Sequence, residues 1–160
     1  MKEIKIESTL YLFENIEELP EKVNTLMQRA VKAREKAYAP YSNFNVGTAI
    51  LLENGEIVTG SNQENASYPS GLCAERTAIY YAGSQFPNVK IISMAVTAAS
   101  KKNKTIKPIP PCGACRQAIA EYEIKQETPI EIYFMGEIGP VTKSNSLANL
   151  LPLSFDKSVL

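Results

Sequence analysis

Three cysteines and the absence of histidine are the most informative features of this 160-residue chain. Cys73 opens a Cys-Ala-Glu run, and Cys112 and Cys115 lie in a Pro-Cys-Gly-Ala-Cys run. A catalytic zinc site uses three protein ligands and leaves the fourth position to water, whereas a structural site is closed by four. The simplest interpretation is an open zinc site with Cys73, Cys112 and Cys115 as ligands and Glu75 beside the water.

The chemistry that such a site performs needs a group that moves protons. Zinc lowers the pKa of its water to about 7, and a neighbouring carboxylate can take the water proton and deliver it to a leaving group. Glu75 is the only acidic residue next to the cysteines, and the chain has no histidine for this role. We therefore predict that Glu75 is the catalytic acid and base.

Two arginines follow the cysteine runs. Three thiolates on Zn²⁺ carry a net charge of −1, and Arg76, one turn from Cys73, can donate hydrogen bonds to the sulfurs and offset it. Arg116 could assist in the same way or could face solvent. Two alternatives to the catalytic site stay open: the cysteines could be small buried hydrophobic residues, or an Asp or Glu could close a structural zinc site.

The elements that position these residues follow from hydrophobic spacing and turn signals. Apolar residues at helical spacing and flanking glycine or proline predict three helices, at residues 19–36, 72–82 (closed by Gly83) and 112–123. Strands are predicted at 46–52, 57–60, 89–98, 130–135 and 140–142. Alternating strands and helices predict a layered α/β domain. Both cysteine runs would then begin helices, with Cys73 at the entry to its helix.

Composition limits the partners and the compartment. Lys+Arg and Asp+Glu both number 17, so there is no net positive charge to hold a phosphate backbone, and we expect no nucleic-acid partner. No apolar run approaches the ~18 residues of a membrane span, and the first residues lack the apolar core of a signal peptide. We expect a single domain over residues 1–160, in the cytoplasm and without a membrane partner, where clustered cysteines remain reduced.

Five motifs in order extend the pattern beyond the metal ligands: YAPYSNFNVG (38–47), NQENASY (62–68), CAER (73–76), PCGACRQ (111–117) and LLPLSF (150–155). With them the chain resembles the cytidine deaminase family, of the small homotetrameric type, over roughly residues 37–155. Residues 1–36 lie partly outside the match, and residues 1–13 have no counterpart in it.

The resemblance implies a fold and an activity. The fold is a three-layer α/β/α arrangement with a mixed sheet of about five strands. The activity is the zinc-dependent hydrolytic deamination of cytidine and deoxycytidine to uridine and deoxyuridine, with release of ammonia, in pyrimidine salvage. One Zn²⁺ per subunit and a homotetramer are implied as well.

The same resemblance assigns roles to further residues. Asn62 and Glu64 would bind the ribose hydroxyls, and Phe44 would flank the pyrimidine ring. Ala66 and Tyr68 would lie at a subunit contact near a neighbour's site, and Phe155 would close a neighbouring subunit's pocket.

Three rival functions remain at this point. A deaminase of another aminated base or of a nucleoside antibiotic would use the same chemistry, but the Asn62 and Glu64 pair suits a ribose. A deaminase that edits nucleic acid is disfavoured by the zero net charge. An inert zinc-binding interaction module is the rival from a different class, and an assay of ammonia release from cytidine separates it.

Overall fold

Helices and strands alternate along most of the chain. The computed structural model describes residues 1–160, apart from the side chain of Val159. The helices are α1 (Glu21–Arg34), α2 (Ala74–Gln85) and α3 (Gly113–Gln126). The strands are β1 (Tyr11–Phe13), β2 (Phe44–Leu52), β3 (Ile57–Ser61), β4 (Ile91–Ser100), β5 (Glu131–Met135) and β6 (Val141–Ser144). Within the part of the chain that the structure describes, no helix has the length and apolar character to cross a membrane.

The strands form one mixed sheet in the order β1-β6-β5-β4-β2-β3. β4 and β5 are parallel, and the other neighbouring strands are antiparallel. α3 lies in the connection between β4 and β5, since parallel neighbours require a crossover. The sheet has six strands where about five were expected. The N-terminal segment, which lies outside the family resemblance, supplies β1 as an edge strand.

Helices cover both faces of the sheet, which confirms the predicted α/β/α layers. On one face, Leu26 of α1 belongs to a buried cluster with Ala49 of β2. On the other face, Ile79 of α2 and Ile119 of α3 share a cluster with Ile50 of β2. Ala49 and Ile50 are consecutive, and successive strand residues point to opposite faces. β2 is therefore buried between the two helical layers.

Two glycines in the strands allow the helices to lie close to the sheet. A Cβ atom on Gly47 would collide with the α1 backbone at Ala30 and Arg34. A Cβ on Gly60 would lie 2.6 Å from the Ala74 carbonyl oxygen, closer than real Cβ atoms approach a backbone. Gly60 therefore lets the first turn of α2, which carries the residues predicted to be catalytic, rest directly on β3.

The prediction that Gly83 ends its helix is wrong. α2 continues through Gly83 to Gln85, and Phe86 is its C-cap. A Cβ at Gly83 would collide with the Tyr122 hydroxyl of α3. Gly83 therefore allows close packing between α2 and α3. A glycine near a helix end can have such a packing role instead of forming the C-cap.

Candidate active site

Both cysteine runs begin helices, as predicted. Cys73 is the N-cap of α2 (φ −69°, ψ 155°) and Cys112 is the N-cap of α3 (φ −69°, ψ 168°). Cys115 follows in the first turn of α3. The N-terminus of a helix carries partial positive charge from its unpaired N–H groups, which stabilises a thiolate. Two such helix ends therefore meet at the cysteines.

The geometry of the three sulfurs fits a zinc ion. Cys73 Sγ lies 3.9 Å from Cys112 Sγ, and Cys112 Sγ lies 3.5 Å from Cys115 Sγ. All three sulfurs lie within 4.8 Å of one another. Tetrahedral zinc with Zn–S bonds of about 2.3 Å separates its sulfurs by about 3.8 Å. Among the residues that the structure describes, no carboxylate oxygen joins the group, so the set leaves the fourth position open.

Glu75 lies in the first turn of α2, beside Cys73 and Cys115. Only 5% of its surface is exposed. Burial raises the pKa of Glu75 to about 7, and the negative charge of Cys73 contributes to the rise. A carboxyl group with this environment can hold or release a proton near neutral pH, which suits acid-base chemistry.

The surroundings of Cys73 favour its thiolate form. Its hydrogen bond with the Cys115 thiol, aided by Arg76, lowers the pKa of Cys73 to about 5. The same hydrogen bond and burial raise the pKa of Cys115. Arg76 Nη2 lies 3.7 Å from Cys73 Sγ, so its guanidinium occupies the position that the sequence predicts.

Arg116 adopts neither of its two expected roles. Its Nε donates to the Pro111 carbonyl (2.8 Å), and its Nη1 donates to the Leu150 carbonyl (2.8 Å). Arg116 therefore ties the residue before Cys112 to the segment that leads to the C-terminus. The neighbouring Gln117 Nε2 donates to the Phe155 carbonyl (2.8 Å) and extends this attachment.

The loop that carries Asn62 and Glu64 is fixed from both sides. Gln63 exchanges two backbone hydrogen bonds with Leu72, each 2.9 Å long. On the other side, Tyr38 N donates to the Asn62 carbonyl (3.0 Å), and Glu64 N donates to the Tyr38 carbonyl (2.9 Å). Because Leu72 directly precedes Cys73, these bonds hold the loop beside the cysteine cluster.

Asn62 has a structural role that the sequence did not indicate. Its Oδ1 accepts from Val46 N (2.8 Å), and its Nδ2 donates to the Phe44 carbonyl (2.9 Å). The side chain is nearly buried and braces the start of β2. An asparagine amide has a second N–H and a second oxygen lone pair, so one donor and one acceptor remain for a further partner.

Glu64 is held in place as a charged group. Its carboxylate accepts hydrogen bonds from Tyr41 N (2.9 Å), Ser42 N (3.3 Å) and the Ser42 hydroxyl. These bonds, that of the Ser42 hydroxyl first, lower the pKa of Glu64. The carboxylate is thus oriented before any ligand arrives.

A cleft of about 400 Å³ lies in front of these residues. Its lining residues are Tyr41, Ser42, Asn62, Gln63, Glu64, Asn65, Tyr68, Gly71, Leu72, Cys73 and Arg76. A pocket of this size with a few fixed polar groups is typical of small-molecule sites.

The cleft contains several of the site residues predicted from the sequence and lacks others. Asn62, Glu64 and Tyr68 line it beside Cys73 and Arg76. The other predicted site residues are not among the lining residues of this single chain: Phe44, Ala66, Glu75, Cys112, Cys115 and Phe155. The Tyr68 side chain is exposed, and its ring lies 5.9 Å from that of Tyr41.

The sequence did not assign roles to Tyr41 and Ser42, which orient Glu64. Both residues belong to the YAPYSNFNVG motif, and their place in this motif was the sequence feature that could have indicated a role. Their partner lies more than twenty positions further along the chain, and spacing alone does not show which acid they meet.

Comparison with known proteins gives a family model and many relatives. The model for the cytidine and deoxycytidylate deaminase zinc-binding region matches residues 20–128. A cytidine deaminase of Halalkalibacterium halodurans is 40% identical over 130 residues, which are 81% of this chain and 91% of that protein. A cytidine deaminase of Sporosarcina psychrophila is 39% identical over 138 residues, 86% of this chain and 94% of that protein.

Solved structures give the same result. The crystal structure of cytidine deaminase from Burkholderia pseudomallei superimposes with a TM-score of 0.72 at 38% identity, over 86% of this chain and all of that one. That of cytidine deaminase from Mycobacterium tuberculosis has a TM-score of 0.65 at 30% identity, over 86% of this chain and 99% of that one.

Proposed function

We propose that this chain, which belongs to the cytidine deaminase family, hydrolyses cytidine and deoxycytidine to uridine and deoxyuridine and releases ammonia. The observation that carries the proposal is the convergence of three cysteine sulfurs beside the buried carboxyl group of Glu75. Residues 1–160 act as one domain of a cytoplasmic enzyme, a compartment in which metal-binding thiols remain reduced.

Cys73, Cys112 and Cys115 would hold one zinc ion per subunit. When bound, zinc supplies a Lewis acid that activates water at neutral pH. Arg76 donates toward Cys73 Sγ and reduces the negative charge that three thiolates place on the site. The cysteines would hold the ion where two helices begin, and the partial positive charge of the helix N-termini favours negative ligands there.

Glu75 moves the protons of the reaction. It takes one proton from the attacking water and gives it to N3 of the pyrimidine ring while the water oxygen bonds to C4. It then passes the remaining proton of that oxygen to the amino group, and the C4–N bond breaks. Ammonia leaves and the oxygen remains as the carbonyl of the product, so every atom of the water is accounted for. Proton transfer of this kind contributes typically about 10²–10⁴-fold.

Asn62 and Glu64 would bind the ribose hydroxyls. The Glu64 carboxylate is fixed by Tyr41 and Ser42, so it can accept from a hydroxyl without losing side-chain freedom on binding. A carboxylate in this place would repel a 5′-phosphate, which favours the free nucleoside. Phe44 would flank the pyrimidine ring.

Glu64→Gln is expected to lower kcat/KM for cytidine by about 10-fold or more, because a hydroxyl donates a stronger hydrogen bond to a charged carboxylate than to a neutral amide. The sharper measurement is the ratio of kcat/KM for cytidine to that for 2′,3′-dideoxycytidine. This ratio should be large in the wild type and should collapse in the variant.

Glu56→Gln, at an exposed acid of the β2–β3 hairpin, is the matched control and should leave the ratio unchanged. An unaltered ratio in Glu64→Gln would show that the ribose assignment is wrong. Asn62→Ala is a less specific test than Glu64→Gln. Asn62 also braces β2, so this substitution is expected to lower stability as well as ribose binding.

We further propose a homotetramer in which Ala66 and Tyr68 lie at a subunit contact and Phe155 covers a neighbour's site. Phe155 is 61% exposed, and its carbonyl is held on α3 by Gln117. An exposed aromatic ring on a fixed backbone can serve as an apolar cover for a second copy.

Phe155→Ala is expected to raise KM for cytidine by about 2- to 10-fold, since aromatic contacts contribute about 0.5–1.5 kcal/mol beyond burial. Mixing inactive Glu75→Gln chains with Phe155→Ala chains should restore activity, because mixed assemblies contain sites with Glu75 and a neighbour's Phe155. Sedimentation should give four times the 17.6 kDa of the chain. A fully active monomer, or no restored activity after confirmed subunit exchange, would contradict this assembly.

The experiment that tests the reaction is ammonia release from purified, zinc-loaded protein. Cytidine and deoxycytidine should be converted, while cytosine and a single-stranded oligonucleotide should not. Cytidine that remains intact while zinc is retained would instead support an inert zinc-binding module. Conversion of cytosine but not cytidine would support a deaminase of a free base.

A further inference from the structure

The first thirteen residues, here called the N-terminal arm, carry a two-sided pattern. From residue 3 to residue 12, the isoleucines and leucines hold even-numbered positions on either side of Ser8, and the charged residues hold odd-numbered positions. The apolar positions are Ile4, Ile6, Leu10 and Leu12, and the charged positions are Glu3, Lys5 and Glu7. Lys5 and Glu7 form an ion pair on their shared side. A period of two is the mark of a β-strand with one apolar face.

The apolar face of the N-terminal arm is uncovered. Ile4 is 81% exposed, Ile6 49%, Leu10 47% and Leu12 62%. Residues 1–10 belong to no helix or strand, although Thr9 N donates to Asn149 Oδ1 (3.2 Å) and fixes the end of this segment. Four large apolar side chains of the arm are therefore exposed, and they would form one row if the arm were extended as a strand.

The arm also continues into the edge of the sheet. β1 pairs with β6 on one side, and among the residues that the structure describes no strand pairs with its other side. An open strand edge is a template for another strand, which would gain backbone hydrogen bonds there. The partner is thus expected to be an extended segment with an apolar row of its own.

We propose that the occupant of this edge is the N-terminal arm of a second copy of this chain, paired antiparallel about a two-fold axis at Ser8. The apolar row is a palindrome about that residue. Antiparallel pairing centred on Ser8 places Ile4 opposite Leu12 and Ile6 opposite Leu10, and each pair occurs twice. Directly opposed side chains contact one another in an antiparallel pair, so every apolar residue of the row gains an apolar partner.

The charged side of the arm agrees with this register and disfavours its neighbours. With the axis at Ser8, Lys5 faces Tyr11 and Glu7 faces Thr9, so no like charges meet. An axis at Glu7 places Glu7 opposite itself, and an axis at Lys5 does the same for Lys5. An axis between two residues would turn the two apolar rows to opposite faces, because a shift of one residue reverses every side chain.

An axis at Ile6 or Thr9 is poorer for a different reason. The former places Lys2 opposite Leu10 and leaves Leu12 without an apolar partner. The latter places Ile4 opposite Glu14. The axis at Ser8 is therefore the register in which the apolar row pairs completely with itself.

Self-cross-linking tests the register. Ser8→Cys in the full-length, zinc-loaded protein should form a disulfide-linked dimer with oxidised glutathione, because two-fold pairing places the two residues opposite each other. Glu3→Cys is the matched control on the same arm. It should cross-link at least about tenfold more slowly, since about ten residues at ~3.3 Å each separate the two copies along the strands. The unmodified chain measures the background from its own cysteines.

Two further variants link the cross-link to the apolar row. Ile6→Glu with Leu10→Glu, placed on the Ser8→Cys chain, should abolish the dimer, whereas Ile6→Val with Leu10→Ile should retain it. Equal cross-linking of Ser8→Cys and Glu3→Cys, faster cross-linking of Glu3→Cys, or none in either would overturn the proposal. The inference does not depend on the proposed function, because ammonia release is measured separately on the same samples.

Discussion

Glu75→Gln is expected to keep the fold and the bound metal and to lose cytidine turnover by about 10²–10⁴-fold. The amide has nearly the shape of the carboxyl group but cannot take a proton from water and return it. The carboxyl group is buried beside Cys73 and Cys115, and the chain has no histidine to replace it. The loss should therefore appear in kcat rather than in substrate binding.

The measurement pairs zinc content with the rate of ammonia release on one preparation. Glu53→Gln is the matched control, because it makes the same change at an exposed acid outside the cleft. The control should keep full turnover. A Glu75→Gln enzyme with a full complement of zinc and more than about a tenth of the wild-type rate would remove Glu75 from the mechanism.

The layered fold was predictable because its signals are local. Apolar periodicity and turn residues locate all three helices and the five strands from β2 to β6. The ends are less accurate, since the same residue type serves different purposes. Gly83 could have ended α2, but the helix continues through it, and the Tyr122 side chain of α3 occupies the space that a Cβ atom would take. That contact joins residues far apart in sequence, and local patterns do not contain it.

The candidate site also has a part that the sequence predicts and a part that it does not. Residue type and spacing predict a site made of the three cysteines, Glu75 and Arg76, because few side chains can hold zinc or move protons beside it. The fold brings these residues together. The partners of Arg116 are main-chain carbonyls at Pro111 and Leu150. Every residue type carries the same main-chain carbonyl group, so the sequence does not show which carbonyls accept these hydrogen bonds.

Asn62 and Glu64, the residues proposed to bind the ribose, also have structural roles. Asn62 braces β2 through both ends of its amide, and Glu64 accepts three hydrogen bonds from the loop at Tyr41 and Ser42. A site residue that is already fixed loses little freedom when a ligand binds. The same bonds couple the shape of the cleft to the start of β2.

Cys112→Ser is expected to weaken zinc binding by more than about 100-fold, which exceeds the usual effect of losing a residue behind a ligand. A serine hydroxyl stays protonated at neutral pH and is a far poorer zinc ligand than a thiolate. Cys112 is the most informative of the three cysteines to change because it is exposed, whereas Cys115 is fully buried. A polar oxygen at Cys115 would disturb the core as well as the metal site.

The test measures zinc per chain after gel filtration, affinity by competition with a chelator, and thermal unfolding with and without that chelator. Chelation should lower the unfolding temperature of the wild type and leave that of Cys112→Ser nearly unchanged, because a ligand that binds only the folded state stabilises it. Ala114→Ser, which adds a hydroxyl at an exposed position between the two cysteines, should behave as the wild type. Should Cys112→Ser retain one zinc per chain at wild-type affinity, Cys112 is not a ligand, and the open three-cysteine site loses the geometry on which the proposed reaction rests.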